Sequence, residues 1–206
     1  MEVRARPRRS LRLSKAQRRT QIADAALHII AEEGLGRFTI LAISREVGLT
    51  DGALFRHFPT KAAVVQAAIE RVGEFLFEGF PPADPDPLSR LGLFFQARVT
   101  IVVSHPGLGR LLFSEELEHA GGTAGAARVL EYKRRSAGFI RDCLGEAEGH
   151  GQLAPAIAVH EGVILVVGAL MALLYSNELM SDPERVPGEA ERVWHTLERI
   201  LRRQEP

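Results

Sequence analysis

Helix-capping threonines, a turn glycine and a pair of basic side chains are concentrated in one short stretch, residues 38–61, with the sequence FTILAISREVGLTDGALFRHFPTK. Thr39, Thr50 and Thr60 each precede an apolar run, and threonine is a common N-cap of a helix. Gly48 can adopt the left-handed conformation that a tight turn needs. The spacing therefore predicts a helix-turn-helix followed directly by the start of a third helix.

The apolar positions of this stretch indicate which side of the second helix is exposed. Six side chains can converge on a small core shared with the preceding helix: Ile40, Ile43, Val47, Leu49, Leu54 and Phe58. The side chains left for the exposed side and the helix ends are Thr50, Asp51, Gly52, Ala53, Phe55, Arg56 and His57. A short helix with a small N-terminus, and with Arg and His near its C-terminal end, suits the major groove of DNA.

The same residues resemble the DNA-binding domain of the TetR family of bacterial transcriptional regulators. The match begins near Arg19 and Ile22 with RRTQIADAALHIIAEEG and continues through FTILAISREVGLTDGALFRHFPTKAAVV. Phe55 departs from the family pattern, because many relatives carry a tyrosine there whose hydroxyl often reaches a phosphate. The resemblance implies an N-terminal three-helix DNA-binding domain and a larger helical domain that binds a ligand and dimerises.

The resemblance also implies roles for individual side chains on the DNA. Arg56 is expected to read bases, with a preference for guanine, and Thr50 to lie close to bases or phosphates. Thr39, His57 and Lys61 are expected to hold the phosphate backbone, Lys61 with help from the helix N-terminus that it begins. The complete predicted DNA-binding set is Thr39, Thr50, Asp51, Gly52, Phe55, Arg56, His57 and Lys61.

Charge is distributed unevenly along the 206 residues, although the formal net charge is zero. Through Lys61 there are 12 Lys and Arg against 6 Asp and Glu, which leaves +6, and the remainder carries −6. A basic front and an acidic rear imply that only the front meets a polyanion. Residues 1–13 contain five arginines. They are expected to form a disordered arm that binds phosphates or enters a minor groove, or else a solvated tail.

Several functional classes find no support in the sequence. The single cysteine, Cys143, excludes an intramolecular disulfide and a four-cysteine zinc site, and is expected to be a buried apolar group in a reducing interior. The charged N-terminus lacks the apolar segment of a signal peptide, so a cytoplasmic location is expected. No phosphate-binding loop, nucleophile elbow or HExxH pattern occurs, and no catalytic residue, metal site or cofactor is predicted. Glu116 and His119 form one Glu-x-x-His pair where a di-iron bundle needs two, and His160 with Glu161 is the only local hint of an enzyme.

Helical periodicity through the rest of the chain, with no strand signal, predicts an all-α protein of about nine helices. Ser14 and Gln17 form a capping box that begins the first helix. The predicted DNA-binding domain covers residues 14–62, and residues 63–206 form the effector-binding and dimerisation domain. The helix from Lys61 to about Gly79 joins the two. Later helices are predicted at 88–104, 108–119, 124–149, 155–180 and 189–204, with Pro155 in a first turn.

One apolar helix is expected to form a subunit interface. From Gly162 to Tyr175 no residue is strongly polar, and these 14 residues fall short of the roughly 20 needed to span a bilayer, so no membrane contact is predicted. Apolar character on all sides implies burial on all sides, either inside one chain or partly against a second copy. With the last helix, it is predicted to form a four-helix bundle across a two-fold axis, as the resemblance also implies. The predicted interface is Gly162, Val166, Gly168, Ala169, Leu173, Val193, Trp194, Leu197 and Leu201.

A cavity for a small molecule is predicted in the same domain. Aromatic and apolar residues on several helices could enclose an apolar pocket with few polar groups, the usual form of a small-molecule site. Arg98 is the most informative of them, because an arginine among apolar residues needs an anionic partner or a path to solvent. This arginine motivates the hypothesis that the effector is acidic or acylated. The predicted pocket set is Phe94, Phe95, Arg98, Val102, Phe113, Tyr132, Phe139, His160 and Tyr175.

Together these features predict a homodimeric, ligand-responsive regulator, a repressor released from a palindromic operator by a small, largely apolar effector. Two recognition helices can read one face of a duplex only when they lie about 34–36 Å apart, so a ligand that favours another spacing weakens DNA binding. One alternative keeps DNA binding but replaces the effector by a protein partner or by nothing, as in a nucleoid-associated factor. A remote alternative is a helical enzyme that uses the C-terminal pocket.

Overall fold

The computed structural model describes residues 13–34, 36–105, 108–113, 120–180 and 184–204, without the side chains of 110, 111, 113 and 175–180. Nine helices and no strand occur in these ranges, which confirms the all-α prediction. The predicted arm, apart from Leu13, and the Glu116–His119 pair lie outside them. The helices are α1 Lys15–Glu33, α2 Ile40–Glu46, α3 Asp51–Phe55, α4 Lys61–Phe77, α5 Pro87–Ser104, α6 Leu108–Phe113, α7 Gly122–Gly149, α8 Val159–Met180 and α9 Val186–Leu201.

Side-chain caps begin the first helices. The Ser14 hydroxyl accepts from the Gln17 backbone N–H at 3.2 Å, while the Gln17 side-chain oxygen accepts from the Ser14 N–H at 2.9 Å. This is the predicted capping box. Thr60 begins α4 in the same way, its hydroxyl accepting from the Ala63 N–H at 3.0 Å. These local signals fix the starts of α1 and α4 where the sequence predicts them.

Two helices in the C-terminal half begin at other residues than predicted. Pro155 lies in a turn, and α8 starts at Val159, because the Glu161 carboxylate accepts from the Ala158 N–H at 2.9 Å and caps the helix there. α9 begins at Val186 instead of residue 189 and stops at Leu201. Beyond it the backbone pairs with the segment before α8, where Ala154 N–H donates to the Leu201 carbonyl at 2.7 Å.

Buried apolar side chains form two clusters. The N-terminal cluster holds the buried side chains of α1 to α4 together with Val102, Leu108, Leu112, Val129 and Leu174. The C-terminal cluster holds buried side chains of α5, α7, α8 and α9, among them Phe95 and Trp194. Because α4 packs on α1 and α7, the N-terminal cluster extends from the helix-turn-helix into the C-terminal half. In the part of the chain that the structure describes, no helix is long and apolar enough to cross a membrane.

Candidate nucleic-acid interface and effector cavity

The helix-turn-helix forms as its sequence predicts. Thr39 and Thr50 cap α2 and α3, their hydroxyls accepting from the N–H groups three residues on at 3.1 and 3.3 Å. Between the helices, Gly48 adopts a φ of 66°, and the Leu49 N–H donates to the Ser44 carbonyl at 2.8 Å. A side chain with a Cβ would be strained at this φ, so glycine is the residue that lets α3 leave α2 at a sharp angle.

A small core fixes α3 on the helices below it. Five of its side chains are completely buried: Ile22, Phe38, Ile43, Leu54 and Phe58. α3 itself ends at Phe55, so Arg56 and His57, expected near the C-terminal end of the helix, follow its last residue. Arg56 is its C-terminal cap, and the His57 N–H donates to the Leu54 carbonyl at 2.8 Å in the turn that follows.

Most of the predicted DNA-contacting side chains lie on the surface. Seven of them are exposed, namely Thr39, Thr50, Asp51, Gly52, Phe55, Arg56 and Lys61. Phe55 is 44% exposed, which is unusual for a phenyl ring three residues from the fully buried Phe58. His57 is half-buried. The geometry therefore leaves these groups free to meet a ligand, and their contact with DNA stays a prediction.

Cations surround His57. Burial lowers the pKa of its imidazole, and the positive charges of Arg18, Lys15, Arg19 and Arg56 lower it further. Three of these cations come from α1, and the predicted set did not include them. The signal was present in the arginine pair at 18 and 19, but only the packing of α1 against the turn after α3 brings these charges together. Such a concentration of positive charge attracts phosphate groups.

Two of the cations rest on rings of the core. The guanidinium carbon of Arg19 lies 4.1 Å from the centre of the Phe58 ring, and the same side chain donates a hydrogen bond to the His57 carbonyl. The Lys61 ammonium lies 5.1 Å from the centre of the Phe38 ring. Contact with an aromatic face holds a cation at the surface in a preferred place. The core thus supports the charges as well as the helices.

A cavity of about 360 Å³ lies between α4, α5, α6, α7 and α8. Its lining draws on both clusters: Leu76 and Val102 belong to the N-terminal one, and Phe94 and Ile140 to the C-terminal one. The cavity therefore occupies the boundary between two separately packed cores. Its lining residues are Leu76, Phe94, Arg98, Val102, Leu112, Tyr132, Lys133, Ser136, Ala137, Ile140, Val167, Leu170, Met171 and Leu174.

The structure brings four of the nine predicted pocket residues to this cavity, namely Phe94, Arg98, Val102 and Tyr132. Three others are elsewhere. Phe95 packs between α5 and α9, its ring centre 5.5 Å from that of Trp194. Phe139 lies against Phe80 and borders an open surface cleft, and His160 is exposed at the start of α8. The helical positions were predicted correctly, but the side each residue faces depends on the rotation of its helix. The side chains of Phe113 and Tyr175 lie outside the described set.

Arg98 is buried in the cavity wall with only 6% of its surface exposed. One terminal nitrogen, Nη1, donates to the Leu76 carbonyl, whereas Nε and Nη2 are buried without a hydrogen-bond partner. The rings of Phe94 and Phe77 lie 4.7 and 4.8 Å from its guanidinium carbon. Burial, together with the positive charge of Arg135, lowers the pKa of Arg98 to about 10. The group still carries its charge at neutral pH.

The predicted subunit interface needs correction. Six of its nine residues are buried within one protomer, where another copy cannot reach them: Gly162, Val166, Leu173, Trp194, Leu197 and Leu201. At Gly162 an added Cβ would lie 3.0 Å from the Leu144 side chain, so α7 already covers this face. Ala169 and Val193 are half-buried, and Gly168 is exposed. The apolar surface that α8 and α9 do expose carries Ile164 (67% exposed), Leu165 (42%) and Ile200 (49%).

The remaining candidate chemistry has structural explanations. Glu161 caps α8, and neither it nor His160 lines the cavity. Cys143 is buried with a raised thiol pKa, chiefly because burial disfavours the thiolate. Among the described residues, no group of three His, Cys, Asp or Glu side chains could hold a metal ion.

Comparison with known proteins identifies relatives. Residues 22–68 match the family model described as bacterial regulatory proteins, tetR family. The nucleoid occlusion factor SlmA of Vibrio vulnificus (strain YJ016) is 32% identical over 107 residues, which cover 50% of this chain and 55% of that protein. The chain thus spans about half the length of the curated relatives it matches.

Two solved structures share the fold over nearly their whole length. The TetR family regulator PfmR from Thermus thermophilus superposes with a TM-score of 0.75 at 16% identity, covering 95% of this chain and 100% of that one. The regulator FadR from Bacillus subtilis, in complex with stearoyl-CoA, gives 0.71 at 18%, covering 87% and 97%. The helix-turn-helix region therefore matches the tetR family of bacterial regulatory proteins, and the whole chain shares the all-α fold of the TetR family regulator PfmR.

Proposed function

We propose that the protein is a homodimeric transcriptional regulator whose affinity for a palindromic operator is set by a small, largely apolar effector. The observation that carries this proposal is the position of α4. Its first residue, Lys61, stands beside the predicted DNA contacts, and Leu76 near its end lines the cavity. One continuous helix therefore runs from the proposed DNA-binding surface to the proposed effector site.

The exposed groups of the helix-turn-helix support the DNA-binding role. Arg56, at the end of α3, can donate two parallel hydrogen bonds to guanine O6 and N7 in the major groove. Thr39 and Lys61 stand at the starts of two helices, where backbone N–H groups and positive charge favour phosphates. His57 lies among four cations, which suits a phosphate contact in the same place.

Dimerisation is proposed through the apolar surface that α8 and α9 leave uncovered. Ile164 and Leu165 on α8 and Ile200 on α9 are exposed, and with Gly168 they can form a self-complementary patch for a two-fold axis. A Cβ added at Gly168 would meet no heavy atom within 4 Å, so this part of α8 is open to a close-packed partner helix.

Contacts along α4 support the transmission of ligand binding to DNA. Tyr132, a cavity residue on α7, packs on Gly73, where an added Cβ would lie 2.2 Å from its hydroxyl. Two residues earlier, Arg71 donates to the Asp24 carboxylate of α1 at 2.8 Å. A ligand that moves Tyr132 would therefore shift α4, and α1 would follow. Such a ligand changes DNA affinity by its differential affinity for the two arrangements.

The test of DNA recognition is selection of duplexes from a random-sequence pool with the purified protein. We expect an inverted repeat whose half-sites lie about one helical turn, 10–10.5 base pairs, apart. Binding should weaken steeply with salt, because each phosphate contact releases counterions. Arg56→Ala should cost about 1–3 kcal/mol of binding and relax the base preference at one position, whereas the control Arg192→Ala on α9 should cost nothing. Failure to enrich any sequence, with a flat salt response, would exclude the proposal.

Light scattering tests the dimer. Ile164→Asp should separate the protomers and abolish tight operator binding, because two half-sites need two linked recognition helices. Leu93→Asp is the matched control, since Leu93 is 45% exposed but lies on α5. Dissociation by Leu93→Asp and not by Ile164→Asp would locate the interface elsewhere.

The name of the curated relatives favours a second candidate, a nucleoid-associated DNA-binding factor controlled by a protein partner or by no effector. The two candidates differ in what the cavity does. Filling it with Ala137→Leu should alter operator affinity if the cavity controls DNA binding. An unchanged affinity, together with no response to apolar ligands, would favour the second candidate.

A further inference from the structure

The unpartnered donors of Arg98 form a defined edge. Nε and Nη2 lie along one edge of the planar guanidinium. Both are buried without a hydrogen-bond partner, whereas Nη1 donates to the Leu76 carbonyl. Buried polar groups in proteins are nearly always satisfied, and an unpaired buried charge is costlier still. The two N–H groups on this edge run parallel, at the spacing that a single carboxylate accepts in a bidentate pair.

The charged side chains in the lining of the cavity have one sign. The lining contains Arg98 and Lys133 and no acidic residue among the described side chains. Arg135 adds a third positive charge nearby, close enough to disfavour the charged form of Arg98. The rings of Phe94 and Phe77 stabilise the cation but accept none of its in-plane hydrogen bonds. An anion that pairs with the Arg98 guanidinium would give these donors an acceptor and would offset the positive charge of the lining.

The size and polarity of the cavity limit the rest of the ligand. Most of the lining is apolar, from Leu76 to Leu174, and Ser136 and Tyr132 are the uncharged polar members. At about 30 Å³ per non-hydrogen atom, the volume of a liquid water molecule, 360 Å³ holds roughly a dozen atoms. A carboxylate with a chain of about ten carbons matches this volume.

We infer that the effector class is a medium-chain monocarboxylate. Its carboxylate pairs with the guanidinium of Arg98, which turns its buried Nε–Nη2 edge towards the ligand, and its hydrocarbon chain lies among the apolar side chains of the cavity. This deepens the proposed function, because it rests on the cavity being the effector site. It gives Arg98 the role of selecting ligands by charge, while the apolar lining selects them by size.

Calorimetric titration of the full-length protein with decanoate, decan-1-ol and decylamine tests the inference. The three probes share a chain and differ in the charge of one end. We expect decanoate to bind at least tenfold more tightly than decanol, and decylamine to give no measurable binding. Arg98→Met keeps the length of the side chain and removes its donors, so decanoate should lose at least tenfold while decanol binds as well as before or better. Arg98→Lys should recover part of the preference.

Met171→Leu is the matched control, because Met171 lines the same cavity without a charge. It should move both affinities together and leave their ratio unchanged. Equal binding of decanoate and decanol to the unmodified protein, no binding of either, or an unchanged ratio in Arg98→Met would each overturn the inference. The first two outcomes are measured on the unmodified protein, so the inference can be overturned even if a variant folds poorly.

Operator binding in the presence of each probe separates this inference from the function on which it rests. If decanoate binds through Arg98 but leaves operator affinity unchanged, the ligand class is supported and the ligand-responsive role fails. If decanol and decanoate release the operator equally well, the ligand-responsive role is supported and the charge selection fails.

Discussion

The helix-turn-helix and the helical bundle behind it are specified in different ways. In the N-terminal region, Ser14, Thr39, Thr50 and Thr60 each supply a hydroxyl that caps the helix following it. The start of α7, by contrast, follows Gly121, which has no side chain to form a cap. A side-chain cap begins each helix of the first region, whereas in the bundle Asp86 caps α5 and Glu161 caps α8 but α7 and α9 have no side-chain cap, so the bundle depends more on how long helices pack. In the helix-turn-helix, capping residues determine where each helix begins and so which side chains reach its surface. In the bundle, packing between long helices leaves a cavity.

The two regions also differ in how their cores are filled. The five-residue α3 is held by completely buried side chains, including Leu54 and Phe58. The bundle contains an arginine in its interior and a cavity of about 360 Å³ beside it. A fully packed helix-turn-helix and a bundle that contains a cavity fit the proposed ligand-controlled regulator, which needs a fixed DNA-binding surface and a site for the effector. The predictions that follow test that division, beginning with the largest effect.

Phe58→Ala should produce the largest loss of stability. The side chain is fully buried, and its truncation leaves a void under α3 that costs about 3–5 kcal/mol. Phe55→Ala, three residues earlier and 44% exposed, should change stability by no more than about 0.5 kcal/mol. Urea denaturation measures both. Similar losses of stability in the two variants would mean that the core under α3 is packed no better than the surface of the helix-turn-helix.

Gly73→Ala should come next, because it alters the contact between α4 and the bundle. Alanine favours a helix over glycine by about 1 kcal/mol, but its Cβ would lie 2.4 Å from the Tyr132 ring carbon that bears the hydroxyl. Overpacking of this kind costs about 1–3 kcal/mol, so the clash wins and the protein is destabilised. Added to Tyr132→Ala, the same change should instead stabilise.

The control for this pair is Gly138→Ala on α7, where an added Cβ meets no atom within 4 Å. It should raise stability by up to about 1 kcal/mol in thermal denaturation. If Gly73→Ala raises stability as Gly138→Ala does, Tyr132 moves away from α4 at no cost. The proposed tight contact between the cavity and α4 then does not exist.

How far the sequence alone predicts the structure follows the same division. The capping box, the turn at Gly48 and the buried Phe58 all follow from residues a few positions apart, and the structure has each of them where it was predicted. The sequence predicts that Pro155 lies in the first turn of a helix, because proline suits that position. Instead α8 begins four residues later, at Val159, where the Glu161 carboxylate caps it. Local patterns are compatible with both starts, and only contacts within the fold decide between them.

The placement of the predicted pocket and interface residues differs from expectation where side-chain direction matters. Phe95 and Phe94 are neighbours on α5, yet one packs on Trp194 and the other lines the cavity. On the uniformly apolar α8, the sequence offers no polar face from which to tell an outward residue, such as Ile164, from the inward Val166. The rotation of a helix about its axis is set by tertiary packing, which no short sequence window contains.

Thr50→Ala sharpens the comparison at a smaller scale. Loss of the hydroxyl that accepts from the Ala53 N–H should cost about 1 kcal/mol, while Thr50→Ser should keep the cap. The matched control is Thr20→Ala, whose hydroxyl bonds only the Ala16 carbonyl inside α1, so its loss should be neutral or slightly stabilising. Chemical denaturation of the three variants measures the contribution of each hydroxyl to stability. If Thr50→Ala is as stable as the unmodified protein, packing alone holds α3.

The smallest effect concerns the pH dependence of His57. Its pKa in the folded protein lies below the usual 6.5, first because of burial and then because of the surrounding cations. As the pH falls below about 6.5, the unfolded chain takes up the proton before the folded one does, so stability present above that pH is lost towards the folded pKa.

A bound phosphate acts in the opposite direction on the His57 pKa, because it favours the charged imidazole. Operator affinity should therefore rise as the pH falls from about 7 to about 6 while stability falls. His57→Gln should flatten both slopes, and the control His195→Gln on α9 should leave them intact. Affinity and stability that fall together in the unmodified protein would show that His57 supports the turn after α3 without meeting the DNA backbone.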